Sequence, residues 1–312
     1  TASETRSSVG EVGARPALPA GETVRRQLEP LIAERRILGF RVMPGAERLL
    51  RGRSGTEIAD QLTACTFTTV DRRGKYLGLN LDNGQVVVVH LRMTGSLRFR
   101  AAGCEEEPFT RAVFELDHGD QLRFIDVRKF GTIDLVEQMQ DALPELGPEP
   151  LSDGFTPAAL WQALRGRTQP IKAALLDQRN VAGIGNIYAD EALFLSRLNP
   201  EAPAGSLRPG ERRALHAAIQ QTLQDGVAHG GASFRDYTDV DGAEGEQQYF
   251  VRVFRRTDEP CDDCDATIRR IVVGGRATHF CPRCQPVRQR TRQIKSTRPA
   301  RRGSAGGTIK PR

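Results

Sequence analysis

The chain has 312 residues, 38% hydrophobic and 27% charged, with a net charge of +6 and an isoelectric point near 9.2. That length can bury more than one core; no apolar run is long enough to span a bilayer, and the first residues lack the pattern of a signal peptide. The positive charge alone does not identify a nucleic-acid binder, because residues 286–312 hold nine Lys/Arg and no Asp/Glu, leaving residues 1–285 at −3, so the case rests on local sites.

Residues 1–15 are Ser-, Gly- and Glu-rich without a hydrophobic period and read as disordered. From Glu22 the positions Val24, Leu28, Leu31 and Ile32 form a helical stripe, which Pro30 is expected to kink or split. Residues 64–136 read as β structure. Asn83-Gly84 joins two β-rich runs as a hairpin, Asp117–Asp120 makes a second turn, and the strand spacing predicts a sandwich or barrel. The Pro/Gly-rich stretch 146–157 marks a domain boundary, after which Thr156-Pro157 opens a helical region with an N-cap and a proline at N1. Gly230-Gly231 begin a polar stretch that reads as a long mobile loop. A cysteine module and then a basic, disordered tail (286–312) follow.

Four of the six cysteines form two pairs, Cys261-x-x-Cys264 and Cys281-x-x-Cys284, sixteen residues apart. This is zinc-ligand spacing, and four thiolates leave no open position for water, so one structural Zn²⁺ is expected. His279 is an alternative fourth ligand. The residues between the pairs read as a β-hairpin with Gly274-Gly275 at its tip. Arg276 then projects from a rigid turn, either solvated or suited to fork onto a phosphate. Gly183 and Gly185 precede a helix starting near Asn186, which gives either an anion site at the helix N-terminus or a tight interhelical turn with an Asn cap. Lys75, Met93, Arg128 and Phe130 lie on loops beside strand-like runs. Met and Phe can wedge into a base stack, and Arg can fill the gap left by an extruded base.

Together, "GETVRR", "RRGKYL", "HLRMTG", "DVRKFG", "GPEPLS", "QPIKAALLDQRNVAGIGNIYADEALF" and "GGRATHFCPRCQ" resemble the bacterial formamidopyrimidine-DNA glycosylase (Fpg/Nei) family over residues 16–285. The resemblance implies an α+β, multidomain fold: a disordered extension (1–15), an N-terminal β-sandwich with a flanking helix (16–146), a helix–two-turn–helix domain (147–230), and a lesion-capping loop with a zinc β-hairpin (231–285). It implies binding of double-stranded DNA, flipping of oxidised purines such as 8-oxoguanine, base excision and AP-lyase strand cleavage. Lys75, His90, Asn186 and Arg276 match positions that hold phosphates around the lesion. Met93, Arg128 and Phe130 match the residues that fill and wedge the duplex. Residues 234–245 match the segment that closes over the flipped base. A bacterial cytoplasmic, nucleoid-associated monomer is implied, with no membrane partner.

The family opens, after removal of its Met, on P-E-L-P-E-V-E-T-V-R-R, and residues 16–26 here read P-A-L-P-A-G-E-T-V-R-R. In the family the terminal proline's secondary amine attacks C1′ and the following glutamate supplies acid/base catalysis. Here Pro16 follows Arg15, so its nitrogen is an amide with a delocalised lone pair and no N–H. Ala17 stands where the acid/base glutamate belongs. Arg15, Ala17, Ala20 and Gly21 replace Met, Glu, Glu and Val. Each is one base away (ATG to AGG, GAG to GCG, GTG to GGG), always exchanging an A·T pair for C·G. That pattern predicts those codons, and an ancestral start at position 15 with residues 1–14 as translated upstream sequence. Three functions follow: a glycosylase/lyase that needs Pro16 freed, a catalytically silent lesion or abasic-site binder, and a general DNA-associating protein driven by the tail.

Overall fold

The computed structural model describes residues 17–234 and 237–287; the expected disordered extension, Pro16 and residues 288–312 lie outside them. A 15-residue helix, α1 (Leu18–Ile32), opens the described chain. It starts six residues before Val24, the first position of the apolar stripe, because Pro19 presets the backbone of the first turn. Pro30 does not split it. That residue sits in the last turn, where its missing N–H forfeits one hydrogen bond and the helix simply ends at Ile32.

Eight antiparallel strands follow: β1 (Ile37–Val42), β2 (Phe67–Arg73), β3 (Tyr76–Leu81), β4 (Val86–His90), β5 (Gly95–Arg100), β6 (Thr110–Leu116), β7 (Gln121–Asp126) and β8 (Thr132–Val136), with helix α2 (Gly55–Leu62) after β1. They form two four-stranded sheets, β1-β6-β7-β5 and β2-β3-β4-β8. Alternation puts Leu77, Leu79 and Leu81 of β3 and Val87 and Val89 of β4 on the inner face. They pack there with Phe40, Phe114 and Phe124, and with Val24, Leu28 and Ile32 of α1. Asn83-Gly84 turns β3 into β4 and the segment 117–120 turns β6 into β7, as the turn chemistry requires.

The second layer is helical: α3 (Pro157–Leu164), α4 (Ile171–Leu176), α5 (Asn186–Leu195) and the 20-residue α6 (Pro209–Ala228). Thr156 caps α3 by accepting from the Ala159 N–H at 3.1 Å. Ala17 and Leu18 belong to this helical core, together with Ile184, Tyr188 and Leu223. Helix α1 thus has its start in one core and its body in the other. The zinc-type hairpin β9 (Arg269–Val273) and β10 (Arg276–Phe280) closes the fold, with Val273 paired to Arg276 across Gly274 and Gly275, both at positive φ.

The polar stretch after Gly231 is held more firmly than a mobile loop. Its neck closes through Gln247 N–H to Gly231 O (3.0 Å). Its tip buries Tyr237 and Val240 in the sandwich core, where two apolar side chains outweigh the polar composition of the segment. Arg98 donates to Thr238 Oγ1 at 3.0 Å and Gln27 to Asp239 Oδ2 at 3.0 Å.

Gly21 lies in the first turn of α1 outside the positive-φ region, and a Cβ there would make an ordinary van der Waals contact with the Arg72 side chain, at 3.4 Å. Gly21→Ala should therefore raise unfolding stability by about 0.5–1 kcal/mol through the lower entropy of the unfolded chain, as read by urea denaturation.

Candidate nucleic-acid interface

The interface is built around the glycine turn before α5. Gly183 has φ +82°, and its carbonyl accepts the Leu18 N–H at 2.9 Å. A Cβ on Gly183 would lie 2.7 Å from Leu18 Cβ, so only glycine lets the start of α1 come this close. Ala17, 5% exposed, precedes that contact as the N-cap of α1. From the other side Gly74 (φ +59°) brings the β2–β3 turn against the same loop, its missing Cβ 3.5 Å from Gly183 N. Lys75 is the next residue of that turn. Three segments far apart in sequence therefore meet at one glycine. Gly183→Ala should destabilise the fold by roughly 1–3 kcal/mol through positive-φ strain and overlap with Leu18, and should weaken DNA binding at 25 °C by displacing the start of α1. Urea unfolding and fluorescence anisotropy read the two effects.

His90 ends β4, 7% exposed. Its Nδ1 accepts the Arg92 N–H at 2.9 Å, which places the ring proton on Nε2, and the ring stands edge-on to Tyr76 at 4.3 Å. Asn186 is the first residue of α5, not its cap; Gly185 occupies the cap position. Its Nδ2 donates to Ala277 O in the hairpin at 3.0 Å, which leaves the second amide hydrogen for another acceptor. Arg276 is the neighbour of Ala277 and opens β10. Contacts thus run from His90 through Tyr76 and the Gly74-Lys75 turn to Gly183, and from Gly185-Asn186 to Ala277-Arg276.

Met93, Arg128 and Phe130 form a second group. The Arg128 guanidinium lies 5.0 Å from the Phe130 ring centroid, its Nη1 is 3.6 Å from Met93 Sδ, and Phe130 is 48% exposed. Asp126, which sequence reasoning did not single out, shapes both loops. Its buried carboxylate accepts from Thr94 Oγ1, from Arg128 N–H (3.1 Å) and from Gly131 N–H (2.8 Å).

Behind the glycine turn lies an ion chain that was equally hidden. Glu22 receives Arg25, Arg26 and Arg72, and Arg72 and Arg73 grip Glu149 of the interdomain segment, which also takes the Gly74 N–H at 2.9 Å. Burial pushes the Glu22 carboxyl upward, but the hydrogen bonds from Arg25, Arg72 and Arg26 outweigh it and hold the pKa at about 2, against an ordinary 4.5.

The four cysteine Sγ atoms lie within 4.8 Å of one another. The Cys264–Cys281 and Cys264–Cys284 separations are 3.4 Å and Cys261–Cys284 is 3.9 Å. A tetrahedron with Zn–S near 2.3 Å has edges of about 3.8 Å, so these donors fit one Zn²⁺. His279 is not among them; its ring and backbone N–H face Asp190 instead.

Three family models match the chain. The formamidopyrimidine-DNA glycosylase N-terminal domain covers residues 16–133, the formamidopyrimidine-DNA glycosylase H2TH domain 146–238, and the zinc finger found in FPG and IleRS 258–287. The formamidopyrimidine-DNA glycosylase of Desulfitobacterium hafniense is 45% identical over 275 residues, 86% of this chain and 99% of that protein. Among solved structures, the Lactococcus lactis Fpg in complex with DNA containing an abasic site aligns with a TM-score of 0.80 at 35% identity, covering 87% of this chain and 100% of that one. A variant of the same protein bound to Fapy-dG DNA aligns equally well, with a TM-score of 0.80, 35% identity and the same coverage.

Proposed function

The chain belongs to the formamidopyrimidine-DNA glycosylase family, and we propose that it works as a DNA base-excision repair protein on oxidised purines and abasic sites. It carries one structural zinc. The observation that carries the reading is the meeting of the α1 start, the Gly74-Lys75 turn and the glycine turn at Gly183, with the zinc hairpin joined through Asn186. In it, Lys75, His90, Asn186 and Arg276 grip the phosphates flanking the lesion, each presenting an N–H donor to an anion. Met93 and Phe130 wedge the stack, and Arg128 fills the space of the extruded nucleotide.

The chemistry needs a free amine at Pro16. A secondary amine there attacks C1′ as the base departs with its electron pair; loss of the amine proton and opening of the C1′–O4′ bond, with O4′ taking up a proton, then give the iminium Schiff base. Loss of a proton from C2′ then expels the 3′-phosphate, and a second elimination expels the 5′-phosphate. With Arg15 attached, the Pro16 nitrogen is an amide and cannot begin this sequence. Ala17 has no proton to transfer to the leaving base. These two positions favour a second reading, a lesion or abasic-site binder that does not cut. In either reading the protein works as a monomer in the bacterial cytoplasm, on the nucleoid. Among the described residues no helix is long and apolar enough to cross a membrane.

Binding separates both readings from tail-driven association. Anisotropy titrations should give tighter binding to duplex containing 8-oxoguanine or a tetrahydrofuran abasic analogue than to undamaged duplex, and the preference should persist as salt rises. Equal affinity for all three, collapsing together with salt, would sink the lesion-specific reading.

A further inference from the structure

Lys172 of α4 is completely buried, and so is the carboxylate of Asp190 on α5. An ammonium has three N–H donors. Here the nitrogen donates to Ala277 O at 2.7 Å and Thr278 Oγ1 at 2.8 Å and pairs with Asp190 Oδ1 at 2.6 Å. Ala277 O also accepts from Asn186 Nδ2 at 3.0 Å, so both lone pairs of this one carbonyl are engaged. Asp190 Oδ2 takes the His279 backbone N–H at 3.0 Å and faces the His279 ring at 3.3 Å. The next residue, Glu191, accepts the N–H groups of Arg252, Val253 and Phe254 at 2.8, 3.0 and 2.9 Å. The hairpin of the zinc module and the segment that leads into the module are thus bolted to adjacent carboxylates of α5, the helix that begins with Asn186.

We infer that Lys172 and Asp190 are positioning residues for DNA binding: through the Ala277 carbonyl they fix Asn186 and Arg276 at one spacing, so that the two grip phosphates as a single rigid clamp. The inference rests on the proposed role of Asn186 and Arg276 as phosphate donors. Neither Lys172 nor Asp190 reaches DNA itself, since both side chains are buried. Burying an ion pair is weak as a stabilising device, because desolvation offsets the attraction; its use here is geometric. Two of the ammonium's three partners, Ala277 and Thr278, follow directly after Arg276, and the third, Asp190, lies on the helix that begins with Asn186.

The test is the full chain carrying Lys172→Met together with Asp190→Asn, which removes the pair without leaving a buried charge and keeps an acceptor for His279. The probe is a duplex with a tetrahydrofuran abasic analogue. Zinc content should stay at one per chain, while affinity falls ~10-fold and the slope of log Kd against log salt drops by about 0.9, one phosphate contact. Asn186→Ala should cost less in that background than in the parent, because the two changes act through one carbonyl. A zinc-loaded, folded double variant with parental affinity and slope, or a cost that simply adds to that of Asn186→Ala, overturns the positioning role. If Asn186→Ala in the parent leaves the slope unchanged, it is the phosphate role of Asn186 that fails. Should the double variant not fold, Thr278→Val takes one hydrogen bond from the same ammonium and leaves Asp190 and the Ala277 carbonyl in place; a roughly two- to five-fold loss of affinity is expected, and no loss overturns the inference.

Discussion

A chain trimmed to begin at Pro16 and carrying Ala17→Glu should excise 8-oxoguanine and cut the strand, at a rate ~10²–10⁴ above the trimmed chain that keeps Ala17. The two changes repair different steps. Trimming converts an amide nitrogen into a secondary amine, without which no covalent route exists. The glutamate restores proton transfer to the departing base. The trimmed chain with Ala17 should still cleave a pre-formed abasic site, because there the base has already left and the amine alone starts the reaction. Single-turnover kinetics on the two substrates separate the contributions. Equal rates on 8-oxoguanine for the trimmed chains with and without Ala17→Glu would remove position 17 from the chemistry.

Arg72→Met should lower stability by roughly 1–3 kcal/mol, the cost of taking one charged hydrogen-bond partner from carboxylates that keep their others. The Arg72 side chain is 7% exposed and bridges Glu22 of α1 to Glu149 of the interdomain segment. The loss should depend on pH in a definite direction. The folded-state pKa of Glu22 is depressed to about 2 from 4.5. Its contribution is therefore fully present above about pH 4.5 and disappears as pH falls toward 2. That linkage is worth on the order of 3 kcal/mol. Without Arg72 the carboxyl keeps only Arg25 and Arg26, its pKa rises toward the ordinary value, and acid unfolding begins at higher pH. Urea titrations from pH 7 to pH 3 read both effects. A variant as stable as the parent would show that the ion chain contributes nothing net.

What the sequence made legible was local. Asn83-Gly84 fixes a hairpin because two residues decide the turn. The cysteines declare their metal because knuckle geometry lives in the x-x spacing. Pro157 after Thr156 marks a helix start for the same reason. The contacts that assemble the interface are not local. Nothing near Gly183 announces that Leu18 will press on it, and nothing in "RRGKYL" says that Arg72 will reach Glu149. Lys172 and Asp190 sit in helical stretches where charges ordinarily face water, and only the packing of α4, α5 and the hairpin takes both of them out of it. The loop after Gly231 looked free because its composition is polar; Tyr237 and Val240 anchor its tip in the core. The roles proposed for Lys75, His90, Asn186 and Arg276 rest on resemblance, since residue type alone leaves each of them open.

The most direct test is a borohydride trap on the chain as written, with Arg15 still ahead of Pro16, against abasic DNA. The account predicts no covalent protein–DNA adduct for that chain. It predicts an adduct mapped by mass spectrometry to the Pro16 nitrogen once the chain begins there. A trapped adduct on the untrimmed chain, attached through Lys75 or any other side chain, would contradict it.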